Sequence, residues 1–173
     1  MHDNGSVCKI SVDGTDFRIY EPTPFDPMWF SHKFKGPGVR YEIGLNIQTG
    51  DLVWAHGPFP CGRFPDRKIA KEEGLEDCLD DGEMYVADGG YRGGIHSETP
   101  NGLNNLDQRM KQVVRARHET INRRFKQFNI LAKVFRHTTK KHRIVFMAIA
   151  NVTQISIREE SPLFQVEYND IAI

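Results

Sequence analysis

Two β-prone runs joined by a tight turn constrain the fold of this chain more than any other feature. The runs cover residues 39–47 and 52–56, and the turn Gln48-Thr49-Gly50-Asp51 supplies the glycine that a hairpin needs. Two earlier runs, 7–12 and 17–20, are also β-prone, and Asp13-Gly14 between them is a turn signal. The sequence therefore predicts an antiparallel meander whose first strand ends at Asp13.

A helical crossover and a further strand are predicted to follow the meander. The segment 57–65 is rich in proline and glycine, and Asp66 stands where an N-cap should stand before a helix over 67–79. The apolar run 83–87 is typical of a short buried strand, and it stops at Asp88. A sheet that begins as a meander and continues through a crossover is a mixed sheet.

The rest of the chain predicts a loop and two long helices. The loop covers 93–105, and apolar residues at spacings of three, four and seven then predict a helix over 106–128 that lies on a core. A second helix over 138–157 is apolar nearly all round and should be largely buried, and 162–168 is a candidate added strand. We expect residues 1–173 to form a single α/β domain, a mixed sheet flanked by helices.

Composition excludes several classes of protein. Of the 173 residues 39% are hydrophobic, and no apolar stretch approaches the roughly 20 residues of a membrane span, so we expect no membrane role. The cysteines Cys8, Cys61 and Cys78 have neither disulfide-framework nor zinc-site spacing, which favours a reducing compartment. An intracellular location, nuclear or cytoplasmic, fits best.

Basic residues are concentrated in one segment although the formal net charge is +0. Between 109 and 143 the only acid is Glu119, which is the pattern of a surface that faces phosphates. The basic residues of that segment are Arg109, Lys111, Arg115, Arg117, Arg123, Arg124, Lys126, Lys133, Arg136, Lys140, Lys141 and Arg143. Arg115, Arg123 and Lys126 fall on the same side of the predicted helix as Glu119, so they are the candidate contacts to a DNA backbone.

Three acids are candidate metal ligands. Asp13 follows the first predicted strand, Asp88 follows the crossover strand, and Glu119 lies on the long helix. Neighbouring strand ends lie close together, and carboxylates suit magnesium or manganese, two of which can promote an in-line phosphoryl transfer. Taken one at a time, Asp13 and Asp88 each precede a glycine and could simply be turn residues. Asp16 is an alternative metal ligand. Asp66 is expected to be a helix N-cap, and a position beside the metals is its alternative role.

Histidines and aromatic residues give weaker signals. His118, His137 and His142 have no partners at zinc-ligand spacing, so we expect them on the basic surface. Tyr91 is predicted to pack under the site rather than contact DNA.

The order of several short motifs resembles the DDE-superfamily transposases of the PIF/Harbinger kind over about residues 10–158. The motifs are Val12-Asp13-Gly14-Thr15, the turns around Gly50 and Gly57, Arg63-Phe64-Pro65-Asp66, Asp88 to Tyr91, and Arg117-His118-Glu119-Thr120-Ile121-Asn122. The resemblance implies a ribonuclease-H-like fold in which Asp13, Asp88 and Glu119 bind two divalent metal ions. It also implies DNA strand cleavage followed by strand transfer.

This resemblance leaves alternatives open. Members of the family usually begin with a helix-turn-helix domain, and only twelve residues precede Asp13, so we expect that domain to be absent. DNA binding could then need a homo-oligomer or a separate accessory protein. The alternative function is an inactive, domesticated domain that binds DNA or protein in the nucleus, and a further one is an α/β protein unrelated to nucleic acid whose acids are turn residues.

Overall fold

The computed structural model describes residues 7–99 and 105–166, and its strands form a mixed sheet. The strands β1 (Val7–Arg18), β3 (Gly36–Asn46) and β4 (Leu52–Pro60) form an antiparallel meander in the order β4–β3–β1. Two short strands, β5 (Glu83–Val86) and β6 (Ser97–Glu98), continue the sheet beyond β1, and each is parallel to its neighbour. The predicted mixed α/β class is confirmed.

β1 is one long strand, which corrects the prediction that Asp13 ends it. Asp13 pairs with Ile43 of β3 and Gly14 pairs with Glu42, so the pairing runs through the supposed turn. The antiparallel partner β3 offers backbone groups along most of β1, and this ladder outweighs the local turn preference of Asp-Gly. A two-residue strand β2 (Phe30–Ser31) pairs with the start of β3.

The crossover from β4 to β5 is helical, but it is shorter than predicted. Helix α1 (Asp66–Glu72) ends before Gly74, whose φ of 99° interrupts the helix, and a 3-10 turn follows at Glu76–Cys78. The N-cap position belongs to Pro65, which makes no side-chain capping bond. The prediction that Asp66 is the N-cap is therefore wrong, because its carboxylate faces Arg40. β6 lies inside the predicted loop 93–105, of which residues 100–104 fall outside the described part of the chain.

The helices of the carboxyl-terminal half lie close to their predicted positions. They are α2 (Asn105–Gln127), the short α3 (Asn129–Ala132) and α4 (Thr139–Glu159). Thr138 caps α4 by accepting a hydrogen bond from the backbone N–H of Lys141. α2 and α4 pack together with side chains from one face of the sheet.

An aromatic core fills the space between α2, α4 and that face of the sheet. The ring of Tyr41 on β3 stacks on Phe146 of α4 with 3.8 Å between centroids, and Phe125 of α2 meets Phe146 edge-on at 5.3 Å. Tyr41 also shares a hydrogen bond of 2.8 Å between its hydroxyl and Nδ1 of His142. This core fixes α2 against β1 and β3, and α2 carries Glu119.

The opposite face of the sheet is covered by α1 and by the turn after β5. Its apolar cluster joins Val12 of β1, Ala70 of α1, Tyr85 of β5 and Tyr91, which is fully buried. The predicted packing role of Tyr91 is confirmed.

Two smaller expectations for the carboxyl-terminal part are not met. Helix α4 exposes Ile144, Val152 and Ile155, so it is buried on one side only. Residues 162–166 form no strand, and 167–168 of the predicted added strand lie outside the described residues. Within 7–99 and 105–166, no helix is long and apolar enough to cross a membrane.

Candidate active site

Asp13 projects from the middle of β1 on the side that faces α2. Alternation along the strand puts its side chain on the face of Ser11, whose Oγ lies 2.9 Å from Nε2 of His118 on α2. Burial raises the pKa of Asp13 to about 6, Lys33 opposes this rise, and the nearby Asp66 and Asp88 add to it. Asp13 thus lies where several carboxylates crowd together.

Asp88 lies two positions after the end of β5, the strand that neighbours β1. Its Oδ1 accepts a hydrogen bond of 2.7 Å from the backbone N–H of Gly90 and caps the 3-10 turn Gly89–Tyr91. Its other oxygen, Oδ2, lies 3.9 Å from Nη2 of Arg115 on α2. The backbone fixes one oxygen, and the second faces α2.

Glu119 is exposed on α2, and one cavity brings it together with Asp13 and Asp88. The cavity has a volume of about 390 Å³, and its wall is formed by β1, the end of β5, α2 and Lys33. The lining residues are Val12, Asp13, Lys33, Asp88, Gln112, Arg115, Ala116, His118 and Glu119. The three acids that the sequence singled out share this space.

The three acids line one cavity without closing around a single point. In the part of the chain that the structure describes, no three His, Cys, Asp or Glu side chains are placed to hold one metal ion together. Pairs of carboxylates are the relevant units, because magnesium binds through one or two carboxylates and completes its shell with water and substrate phosphate.

Asp66 lies close to Asp13 and Asp88, which is the less favoured of its two predicted positions. Its Oδ1 lies 2.0 Å from the point where a Cβ on Gly14 would stand, and its Oδ2 lies 3.0 Å from the corresponding point on Gly90. The Asp66 side chain therefore packs between the backbones that follow Asp13 and Asp88. A side chain at position 14 would collide with it, so Gly14 serves close packing rather than a turn.

A buried ion pair holds the outer end of this arrangement. Arg40 donates to both oxygens of Asp16, at 2.7 Å from Nε and 3.0 Å from Nη2, and Ser31 donates to Oδ2 of Asp16 at 2.6 Å. Nη1 of Arg40 lies 3.1 Å from Oδ1 of Asp66, but the atoms are not aligned for a hydrogen bond, and that oxygen is buried without a hydrogen-bond partner. Asp16 is engaged in this pair, which argues against it as a metal ligand.

A further carboxylate, Glu42, lies beneath the site on β3. It is fully buried, its Oε2 accepts from Nε1 of Trp54 at 3.0 Å, and its Oε1 makes no hydrogen bond of regular geometry, although the Tyr91 hydroxyl is near enough to lower the pKa of Glu42. Burial raises the pKa of Glu42 to about 8. The hydroxyl of Tyr91 is also buried without a hydrogen-bond partner, and its pKa is well above the ordinary value because of burial and the proximity of Glu42 and Asp66.

The candidate DNA contacts on α2 divide into three different environments. Arg115 lines the cavity of the three acids, and Lys126 lines a second cavity beside Asp13. Arg123 is exposed and lines neither of these two cavities. Arg117, counted in the basic segment, is buried and donates to the backbone carbonyls of Phe164 and Ile47.

Two of the three histidines expected on the basic surface are in the interior. His118 and His142 are buried, and burial lowers the pKa of each to about 4. Each ring bonds to a side chain more than a hundred positions away, Ser11 and Tyr41 respectively, which a local pattern cannot show. Only His137 of the three is exposed.

Lys33 is a functional candidate that the sequence did not reveal. It lies in the segment between β2 and β3, outside the basic segment, and its Nζ donates to the backbone carbonyl of Gly14 at 2.7 Å. It lines both the cavity of the three acids and the neighbouring one. No motif surrounds Lys33, so only the tertiary structure shows that it lies beside Asp13.

Comparison with known proteins identifies no relative of this chain. No family model, no curated protein and no solved structure matches this chain.

Proposed function

We propose that this chain is a metal-dependent DNA strand-cleaving and strand-transfer domain with a ribonuclease-H-like fold. The observation on which the proposal depends is the single cavity that Asp13, Asp88 and Glu119 share with Arg115 and Lys33. The antiparallel meander, the helical crossover and the parallel strand β5 support the proposed fold. The order of motifs that resembles the PIF/Harbinger transposases supports the proposed chemistry.

The donor set fits two hard divalent cations, magnesium or manganese. Carboxylate oxygens are the ligands these ions prefer, and the crowding of Asp13, Asp66 and Asp88 is a negative charge that a cation would relieve. Asp13, Asp88 and Glu119 would be the ligands that hold these ions. When bound, such ions orient the attacking oxygen and stabilise the leaving oxygen of an in-line phosphoryl transfer.

The protein groups around the acids hold and orient the substrate. The N–H of Gly90 fixes one oxygen of Asp88, so the carboxylate is oriented before a ligand arrives. Arg115 and Lys126 supply positive charge on the two sides of Asp13, where a phosphate backbone would otherwise be repelled. These contacts would position DNA without reading its sequence.

Metal binding is tested by thermal unfolding with magnesium or manganese. A cation that binds only the folded chain at a hundred times its Kd stabilises it by about 2.7 kcal/mol, which raises the Tm by roughly 5 to 10 °C. Asp88→Asn keeps an oxygen for the Gly90 N–H and should lose most of the rise. The matched control is Glu159→Gln, an exposed change at the end of α4 that should respond as the wild type does. Equal responses of all three proteins would contradict the metal site.

Cleavage is tested with Glu119→Gln on one duplex. The variant should lose metal-dependent nicking while its DNA affinity stays equal or rises slightly, since a negative charge near the phosphates is removed. Nicking that survives in this variant would exclude Glu119 from the active site.

The path of DNA is tested through the dependence of affinity on salt. Replacing Arg115 and Lys126 by alanine should lower the slope of log affinity against log salt by up to about 1.8 for duplex DNA, at about 0.9 for each phosphate contact. Arg123→Ala should change the slope less, because Arg123 lines neither cavity. A slope that is the same in all of these proteins would remove α2 from the DNA path.

The inactive binding module remains the alternative function, and one observation favours it. Arg115 lies 3.9 Å from Asp88, so a protein cation already offsets one of the acids. DNA binding with a full salt slope, combined with no response to metal and no nicking, would establish that alternative.

A further inference from the structure

We infer that Lys33 contacts the phosphate backbone of the bound DNA strand at the point where two cavities meet, so that the strand runs through both. This inference rests on the proposed function and adds to it a substrate-binding residue outside the basic helix. Lys33 lies between the two cavities and lines both.

The second cavity begins where the first ends. It has a volume of about 360 Å³ and shares Asp13 and Lys33 with the cavity of the three acids. Its lining residues are Asp13, Gly14, Thr15, Asp16, Phe17, Arg18, Lys33, Phe34, Asn122, Lys126, Leu131 and Ala132. A chain molecule that enters at Asp88 and Glu119 can therefore continue past Asp13 toward Lys126.

The charges of the second cavity suit a polyanion. Arg18, Lys33 and Lys126 are basic, whereas the carboxylate of Asp16 is already bound by Arg40 at both oxygens. Among the described contacts, Asp13 is the one acid lining the second cavity that has no arginine partner. It lies where the second cavity meets the first. A phosphate backbone passing from the first cavity would meet mainly positive charge in the second.

Lys33 is held in place at that junction. The Gly14 carbonyl accepts one hydrogen bond from its ammonium at 2.7 Å, and an ammonium has three donors. The charge is near enough to lower the pKa of both Asp13 and Asp16. The ammonium thus stands beside the acid that would lie at the centre of the reaction, with donors left for a phosphate oxygen.

The test measures the binding of a single-stranded oligonucleotide of random sequence to the full chain in calcium, over a range of salt concentrations. Lys33→Gln should weaken the Kd about fivefold at moderate salt and lower the salt slope by about 0.7, the contribution of one phosphate contact on a single strand. Lys33→Arg keeps the positive charge and should keep the slope. If Lys33 had only a structural role, Lys33→Arg would not keep the salt slope of the wild type.

The matched control is Lys35→Gln. Lys35 lies two positions away in the same segment, carries the same charge and lines neither cavity. It should leave both the Kd and the slope close to those of the wild type. A further comparison combines Lys33→Gln with Lys126→Ala, which should lower the slope by about 1.4 if one strand touches both.

Three outcomes would overturn the inference. If Lys33→Gln binds as the wild type does, or if Lys35→Gln weakens binding equally, Lys33 makes no specific phosphate contact while the proposed function stands. If the wild type shows no salt-sensitive binding at all, both the contact and the proposed function fail.

Discussion

The two faces of the sheet differ in what they bury. The face under α2 and α4 packs the rings of Tyr41, Phe125 and Phe146 together, and the polar groups buried with them include the hydrogen-bonded pair of Tyr41 and His142. The face under α1 buries Asp16, Arg40 and Glu42 and half-buries Asp66, and one oxygen each of Glu42 and Asp66 makes no regular hydrogen bond. The same strands β1 and β3 supply both faces.

This difference separates stability from chemistry. An aromatic core gains free energy from every ring it buries, whereas a buried carboxylate without a full set of partners costs free energy. The face under α1, which buries the carboxylates, lies directly behind Asp13 and Asp88. Asp66 packs there between the backbones of Gly14 and Gly90. The comparison indicates that the face under α1 supports the site and the face under α2 and α4 holds the domain together.

The largest expected effect comes from breaking the buried ion pair. Arg40→Leu leaves the buried Asp16 and the half-buried Asp66 near each other without their cation, which should lower the free energy of unfolding by about 3 to 5 kcal/mol. Urea unfolding at pH 7 measures it. Asp16→Asn and Asp66→Asn added to Arg40→Leu should restore part of the loss.

The control for that change is Arg158→Leu, which removes an ion pair with Asp51 in which Arg158 is exposed. It should leave the urea midpoint nearly unchanged, because an exposed pair contributes little. Equal losses in the two arginine variants would mean that burial does not distinguish the pairs.

The buried carboxylate of Glu42 should make stability depend on pH. Glu42 has a pKa of about 8 in the folded chain against an ordinary value of 4.5, so the folded state binds the proton more tightly and stability falls as pH rises from about 4.5 to about 8. Glu42→Gln should remove that loss and be more stable than the wild type by several kcal/mol at pH 8.5, with little difference at pH 4.5. Glu159→Gln serves as the exposed control. A wild type and a Glu42→Gln variant with parallel pH profiles would contradict this prediction.

The smallest effect has the opposite sign and belongs to the aromatic face. The pKa of His142 is about 4 in the folded chain and 6.5 ordinarily, so the unfolded chain binds more protons between these values and stability is lost as pH falls below 6.5. Between pH 7 and pH 5.5 its share should be about 1.4 kcal/mol. His142→Gln should remove this part of the acid-induced loss of stability and leave the similar part that buried His118 causes. His137→Gln, a change at an exposed histidine, should leave the acid-induced loss of stability unchanged. An acid profile unchanged by His142→Gln would show that the ring titrates normally.

The sequence predicted the elements of this fold better than their contacts. The hairpin of β3 and β4, the crossover, α2 and α4 follow from turn residues and periodicity, which are local signals. The same local reasoning failed at Gly14, because pairing with β3 outweighs the turn preference of Asp-Gly. Glycine is needed there because the carboxylate of Asp66, 52 positions away, packs against it.

The candidate site was predicted in part for the same reason. Asp13, Asp88 and Glu119 stood out because each lies beside a recognisable element or motif, and they line one cavity. Lys33 and Asp66 reach that region through contacts with Gly14 that no spacing encodes. Arg117 and His118 look like surface residues in a basic segment, and only the packing of α2 on the sheet shows that they are buried.

The buried guanidinium of Arg117 links the carboxyl-terminal segment to the candidate site. It binds the carbonyl of Phe164 through two nitrogens, at 3.0 Å and 2.8 Å, and it stands two positions before Glu119 on α2. Shortening the chain to end before Phe164 would leave a charged group in the interior without those acceptors, at the helix turn that presents Glu119. Trimming that removes Phe164 would therefore also disturb the helix turn of Glu119, so a truncation or fusion junction belongs beyond residue 164.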